Sequence, residues 1–417
     1  MTFGLEPKRV PKIFDQRIAE EVTNAFSESP KNLRNFFAAV ASCSPFLYSQ
    51  ILKEKRWLLD IVEDKNFNIL SLLEHLKLEP FDSLYLKLRK AKKRAALWVA
   101  LNDLAGVWSL EAVTKNLSVF AEKAINLSWH ASFRKELNKG KFPTHHHLDP
   151  DGVGFFILAM GKLGAYELNY SSDIDLICFF DEDLYSPEEF QNVRRTFINS
   201  TKNFYRVLNE NGKDGYVFRT DLRLRPDPSV TPVCMGVDAA ERYYASLGRT
   251  WERAAFIKAR VCAGDNSAGN KFLKNIEPFI WRKYLDYTAI SDAHDIRLRI
   301  RDHYKTKIGE ITLPKHNMKL GRGGIRDIEF FTQTHQIIFG GRDKTIRSRE
   351  TVSSLRAISD KKWLPNGLVK DLIENYRFYR TIEHRLQMIN DAQTHELPSS
   401  EQGFVRLACL MGKEKED

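Results

Sequence analysis

Cysteine is scarce in this chain. Five stand among 417 residues, at 43, 178, 234, 262 and 409, and no two are spaced as C-x-x-C. An odd number at wide spacing excludes a disulfide framework and argues against a cysteine-based zinc site. Long apolar runs are missing too: stretches such as 36–51 are broken by serine, and none reaches the ~18 residues that a membrane span requires. The opening residues MTFGLEPKRVPK carry no apolar segment of the kind a signal peptide needs, so the expected location is the cytoplasm, with no membrane partner. Acidic side chains are outnumbered: 54 Asp plus Glu face 64 Lys plus Arg, a formal net charge of +10. That surplus favours anionic partners such as nucleotides, phosphate, nucleic acid or an acidic protein. Charge alone does not choose among them.

What is present is ordinary globular composition, 43% hydrophobic and 28% charged, and a length that suggests two or three domains at about 150 residues each. Residues 1–150 read as a helical region, with apolar residues three and four apart in 97–108 and 117–129. Within it, 87–94 holds six basic residues, Lys87, Arg89, Lys90, Lys92, Lys93 and Arg94. They read as a solvated helix face or as an anion-binding one. His145, His146 and His147 lie between two prolines; three adjacent histidines cannot share a helical face, which argues against a metal site.

The texture changes at 154. Residues 154–160 (GFFILAM) and 174–180 (IDLICFF) are short, nearly continuous apolar runs, expected to be buried strands. Ser186, Pro187 and Glu189 predict a helix from 186 to about 211, and 215–224 (GYVFRTDLRL) reads as a third strand. An α+β core over 151–235 results. Helical patterns then return at 241–247, 251–261, 271–284 and 291–308, making 236–345 a helical extension of that core. After a Gly-rich joint at 321–324, helices are expected over Ile325–Phe339, Thr351–Asp360 and Asn366–Asn390; 346–417 is a C-terminal helical region. The predicted fold is mostly α, with a small mixed sheet flanked by N- and C-terminal helical regions. The end, MGKEKED, reads as a cut within a longer protein.

The informative segment is GKLGAYELNYSSDID, residues 161–175. Asp173 and Asp175 are two apart at the mouth of a strand, hence on one face and roughly 6–7 Å apart at ~3.3 Å rise per residue. Carboxylates so close repel unless cations sit between them. Mg²⁺ prefers a few carboxylate oxygens plus substrate phosphates, and two such ions about 3.5–4 Å apart can clamp the attacking and leaving oxygens at phosphorus. A D-x-D alone is also a plain turn-and-strand pattern. Two additions strengthen the chemical reading. The turn from Gly161 to Gly164 lets main-chain N–H groups approach phosphate. Asp221 lies on the predicted third strand, where a period of two places Arg223 and Arg225 on its face, and arginine forks grip phosphate.

A glycine turn followed by D-x-D and a third Asp on a later strand resembles the DNA polymerase β-like nucleotidyltransferase superfamily. More narrowly, GKLGAYELNYSSDIDLI, DLRLRP, WERAAFIKAR and GRGGIRDIEF, within 161–330, resemble the bifunctional glutamine synthetase adenylyltransferase/adenylyl-removing enzymes. That family carries two similar halves, one removing AMP from a tyrosine of glutamine synthetase and one attaching it. The wording ELNYSSDID and the long helical leader resemble the N-terminal, adenylyl-removing half. The resemblance implies that phosphate attacks adenylyl-tyrosine to give ADP and free tyrosine, with Mg²⁺ or Mn²⁺ held by Asp173, Asp175 and Asp221. It implies adenylylated glutamine synthetase and a uridylylated PII-type signal protein as partners, with ADP, ATP and phosphate as small ligands. Gly161, Lys162, Gly164, Ser172, Arg223 and Arg225 are the expected nucleotide and phosphate contacts. Glu167, Arg253, Lys258, Arg326 and Glu329 are candidates for support, with structural ion pairing the competing reading; Arg326 and Glu329, three apart, can pair with each other. One departure stands out: the superfamily's usual Gly-Ser at the turn is here Gly161-Lys162, which implies a different phosphate contact. Rival readings are a nucleotidyltransferase acting on RNA or a regulatory protein, and a silent docking module. No RNA-recognition motif supports a nucleic-acid partner.

Overall fold

The computed structural model describes residues 5–77, 79–143, 148–212, 214–283 and 313–413. The histidines at 145–147 and the helix expected at 291–308 fall outside the described residues. Helices dominate, around one small mixed sheet. Among the described residues, no helix is long and apolar enough to cross a membrane.

Local chemistry starts the N-terminal helices. Asp15, Ser44 and Ser109 each accept a main-chain N–H of the first turn of Gln16–Ala25, Pro45–Lys53 and Leu110–Leu137, satisfying donors that the helix leaves orphaned. The Phe81–Leu104 helix is buried on every side from Ala95 onward, as befits a helix at the centre of a bundle.

The sheet comprises β1 (Phe155–Ala159), β2 (Ile174–Phe180), β3 (Thr220–Asp221), β4 (Cys234–Gly236) and β5 (Arg260–Gly264). β1 runs antiparallel to β2 on one side and to β5 on the other. β3 and β4 both pair in parallel with β2, one at its start and one at its end. The apolar runs are continuous because the sheet is covered on both faces. Phe155, Ile157, Leu176 and Cys178 enter the core beneath the N-terminal helices, with the Trp129 ring stacked on Phe155 at 3.7 Å between centroids. Phe156, Leu158, Ile177 and Phe179 face a second core, shared with Val237–Ser246, Thr250–Phe256 and Asn266–Asn275. Ile325–Phe339, Thr351–Asp360 and Asn366–Asn390 form where periodicity places them. The last of these returns to the N-terminal bundle, where Ser44 donates to the Met388 carbonyl at 2.7 Å.

Several expectations need correction. The third strand is two residues long, because the chain leaves the edge of β2 after Asp221 and rejoins it at β4. The helix drawn over 251–261 ends at Phe256, and Arg260–Gly264 is a strand. The helix begun at 186 becomes regular at Phe190, one turn later. The stretch 271–284 breaks into helices Asn266–Asn275 and Glu277–Ile280. The basic run 87–94 is neither a free solvated face nor an open anion site. Arg89 is buried and donates to the carbonyls of Gly215 and Val207 at 2.7 and 3.2 Å; Lys92 pairs with Asp391, Lys93 with Asp214 and Arg94 with Glu54.

Candidate active site

The parallel pairing of β2 with β3 sets the site. Its register places Ile174 opposite Thr220 and Asp175 opposite Asp221, and Asp173 immediately precedes β2. The Gly161 turn abuts this edge: Met160 N–H donates to the Asp175 carbonyl at 2.9 Å. Gly161 sits at φ +52°, and a Cβ there would lie 2.8 Å from Asp175 Oδ2. The glycine is therefore required by the approach of a carboxylate.

The three acids differ in electrostatic state. Burial is the largest cause that pushes the Asp175 carboxyl up to about 6, with Asp221 and Asp173 adding to it against the opposing charges of Lys319 and Lys162. Asp173 accepts from Arg219 Nε at 2.8 Å. Asp221 is held by Arg223, whose Nη2 lies 2.6 Å and Nε 3.0 Å away, and its carboxyl falls below the usual range chiefly through that hydrogen bond. Asp173, Asp221, Arg219 and Arg223 line one cavity of about 590 Å³, together with Lys202 and Tyr205 of the Phe190–Asn209 helix.

Among the described residues, no group of three or more His, Cys, Asp or Glu is already arranged to hold a metal ion. The reason is visible in the pairing: two of the three carboxylates are turned towards guanidinium groups. In kind, the donor set fits a hard divalent cation, because it is all carboxylate oxygen. Burial first, and then Asp221 and Asp173, raise the Asp175 carboxyl, the direction expected of a carboxylate crowded by like charge. Asp173, Asp175 and Asp221 are the residues that would hold such an ion.

The other predicted contacts mostly turn inward. Lys162 ion-pairs with Glu383 at 3.1 Å, and burial pulls its amine down to about 8, against the attraction of Glu383. A Cβ on Gly164 would lie 2.0 Å from the Lys258 carbonyl, so this glycine serves close packing. Arg225 does not share a face with Asp221; it is buried and donates to the carbonyls of Leu222, Pro228 and Thr231, gathering the loop that separates β3 from β4. Ser172 is half-buried beside Asp173.

The supporting candidates divide similarly. Glu167 takes the Lys258 ammonium at 2.8 Å and the Thr351 N–H at 2.7 Å. Glu329 pairs with Lys258 at 3.5 Å rather than with Arg326, which is exposed. Arg253 is buried and donates to the Ile280 carbonyl; Arg260, which opens β5 instead of continuing the helix drawn over 251–261, pairs with Glu122 at 2.7 Å. Sequence reasoning missed Arg219, Lys202, Tyr205 and Glu383. Lys202, Tyr205 and Asn209 are spaced three and four apart, a polar stripe that was legible; that it faces Asp221 depends on tertiary packing.

Comparison with known proteins agrees with the resemblance. Residues 35–275 match the family described as glutamate-ammonia ligase adenylyltransferase, and residues 294–417 match GlnD PII-uridylyltransferase. A bifunctional glutamine synthetase adenylyltransferase/adenylyl-removing enzyme of Bradyrhizobium sp. (strain BTAi1) is 42% identical over 395 residues, covering 92% of this chain and 40% of the relative. A protein of the same name from Rhizobium meliloti (strain 1021) is 47% identical over 329 residues, 79% of this chain and 33% of that relative. The chain thus spans about two fifths of the length of the curated relatives it matches. The chain belongs to the glutamate-ammonia ligase adenylyltransferase family.

Proposed function

We propose that this chain carries the adenylyl-removing activity of a glutamine synthetase regulatory enzyme: orthophosphate attacks the α-phosphorus of adenylyl-tyrosine and releases ADP and unmodified tyrosine. The observation that carries the reading is the Asp175–Asp221 register, with Asp173 beside it, at the edge of a cavity of about 590 Å³. The ELNYSSDID wording and the helices before it support the removing half over the attaching one. The match of 294–417 to GlnD PII-uridylyltransferase supports a PII-type protein as regulatory partner; its uridylylated form is the one the family resemblance implies.

The reaction balances without an added base. A phosphate oxygen forms the new P–O–P bond, the P–O bond to tyrosine breaks with its electron pair, and the proton of the phosphate dianion passes to the tyrosine oxygen. Phenolate, with a conjugate acid near pKa ~10, is a tolerable leaving group. Mg²⁺ or Mn²⁺ held by Asp173, Asp175 and Asp221 would supply charge neutralisation at phosphorus and at the leaving oxygen. Gly161 keeps the turn against Asp175, and Lys162, through Glu383, ties that turn to the Asn366–Asn390 helix.

The test is phosphorolysis. The chain is incubated with adenylylated glutamine synthetase, Mg²⁺ and phosphate, with and without uridylylated PII, while ADP and the mass of the synthetase subunit are followed. ADP formation that requires phosphate and is lost in Asp173→Asn is the expected result. No ADP under any condition, with AMP transfer from ATP observed instead, overturns the removing assignment.

A further inference from the structure

The groups expected to receive phosphate are largely spent elsewhere. Lys162 is engaged by Glu383, Arg225 by three carbonyls, and Gly164 lies against the Lys258 carbonyl. Arg223 gives Nε and one N–H of Nη2 to Asp221, and the rest of its exposed side chain faces solvent. A dianionic nucleophile nevertheless has to be brought up to a carboxylate-lined edge that repels it, so the cavity must hold cations of its own.

Two are in place. Arg219 is fixed by its surroundings: Nε donates to Asp173 at 2.8 Å, Nη1 to the Tyr216 hydroxyl at 2.5 Å and Nη2 to the Ser171 carbonyl, with the guanidinium 5.1 Å from the Tyr216 ring centre. A guanidinium has five N–H donors; Nη2 also reaches the Ser171 hydroxyl at 3.4 Å, so these contacts leave one N–H, on Nη1, to spare. Lys202 lines the same cavity from the Phe190–Asn209 helix; among the described residues, no hydrogen bond or ion pair engages its ammonium. One cation is thus rigid and the other adjustable, in the cavity that Asp173 and Asp221 also line. Arg219 offers a fixed positive charge and one N–H on Nη1, and Lys202 adds a point charge with three donors.

The geometry points to Arg219 and Lys202 as an inorganic oxyanion subsite that receives the attacking phosphate; this deepens, and as a kinetic statement rests on, the adenylyl-removing reading. It assigns phosphate to the β3 side of the carboxylates. The adenylyl-tyrosine must then approach from another direction, because the attacking and leaving oxygens lie roughly in line at phosphorus.

Lys202→Met and Lys202→Arg test it, since Lys202 is exposed and neither change disturbs the core. In an active chain, Lys202→Met raises the KM for phosphate by about tenfold or more, the loss of one charge-assisted contact. It has little effect on kcat at saturating phosphate or on the KM for the adenylylated protein, and Lys202→Arg restores most of the phosphate KM. An unchanged phosphate KM in Lys202→Met overturns the subsite and leaves the proposed function standing. Direct titration of inorganic phosphate in the presence of Mg²⁺, by ³¹P NMR or calorimetry, separates the two failures. If the chain makes no ADP yet binds phosphate, and Lys202→Met weakens that binding, the subsite holds and the activity assignment falls. No binding, or equal binding by wild type and Lys202→Met, overturns the subsite.

Discussion

Lys162 and Glu383, 221 positions apart in the chain, close an ion pair at 3.1 Å. The glutamate side chain has no exposed surface. Glu383 also takes Arg380 at 3.1 Å and lies 2.7 Å from His395 Nδ1; Lys162, the His395 contact and Arg380 hold its carboxyl well below the usual range despite burial. One buried carboxylate therefore balances three basic groups and fixes the Gly161 turn to the Asn366–Asn390 helix.

Glu383→Gln keeps the shape and removes the charge. It leaves Lys162 and Arg380 buried without their counter-ion, a situation that costs about 3–5 kcal/mol. Chemical denaturation at neutral pH should show a loss of that order, and activity should fall with it. A variant within about 1 kcal/mol of wild type would show that the ion pair carries no such burden.

The two glycines of the turn should fail differently. Gly161→Ala places a methyl 2.8 Å from a carboxylate oxygen at φ +52°, a clash that a side chain can relieve by shifting Asp175. The expected outcome is a fall in activity of more than tenfold, with a stability loss of only about 1–2 kcal/mol from the strained backbone. Gly164→Ala drives a methyl to 2.0 Å from the main-chain carbonyl of Lys258. Backbone cannot yield so easily, and this variant should lose the fold, seen as loss of the cooperative thermal transition.

How much of this was legible follows from which forces are local. β1, β2 and the helices Ile325–Phe339, Thr351–Asp360 and Asn366–Asn390 lie where apolar spacing puts them, because each buries a face long enough to show its period. β3 was overdrawn because F-R-T-D-L-R-L alternates like a strand. Its continuation is broken by Arg225, which collects carbonyls of the following loop. β5 was missed because R-V-C-A-G follows a helix with no turn signal and forms only by pairing with β1. In the site, the three acids declared themselves by residue type and spacing. The cations did not: Arg219, Arg223 and Arg225 look alike in sequence, and only packing makes one a clamp on Asp173, one a partner of Asp221 and one a loop anchor. Lys162 looked like a phosphate ligand because its partner lies 221 positions away.

Glu329 gives a pH-dependent test of the cluster behind the site. Burial raises its carboxyl, but Lys258 and then Lys162, Arg380 and Lys319 outweigh burial and hold it at about 2. A carboxyl depressed on folding stabilises the fold above its unfolded value near 4.5, and that contribution is lost as pH falls towards 2. Wild type should exceed Glu329→Gln in stability at about pH 6, and the gap should shrink by about 2 kcal/mol at about pH 3. Denaturant titrations of both proteins at the two pH values measure it. A gap that does not change with pH would mean that the Lys258 pairing is not what holds Glu329 ionised.

Asp175 has the opposite sign. Its carboxyl is raised to about 6 by burial and by Asp221 and Asp173, so the folded chain binds a proton there more tightly than the unfolded one. Stability is then lost as pH climbs from about 4 to about 6, and the ionised side chain costs up to about 3 kcal/mol above that window. In metal-free buffer at about pH 7.5, Asp175→Asn should therefore melt higher than wild type, with the advantage gone by about pH 4. Mg²⁺ should reverse the order, because the wild-type carboxylates gain a cation that the amide cannot replace. Thermal scans with EDTA and with Mg²⁺ at both pH values decide it. A variant less stable than wild type in EDTA would mean that the like-charge crowding at this edge is relieved by Arg219 and Arg223 without any metal, and the case for a cation at Asp173, Asp175 and Asp221 would lose its electrostatic basis.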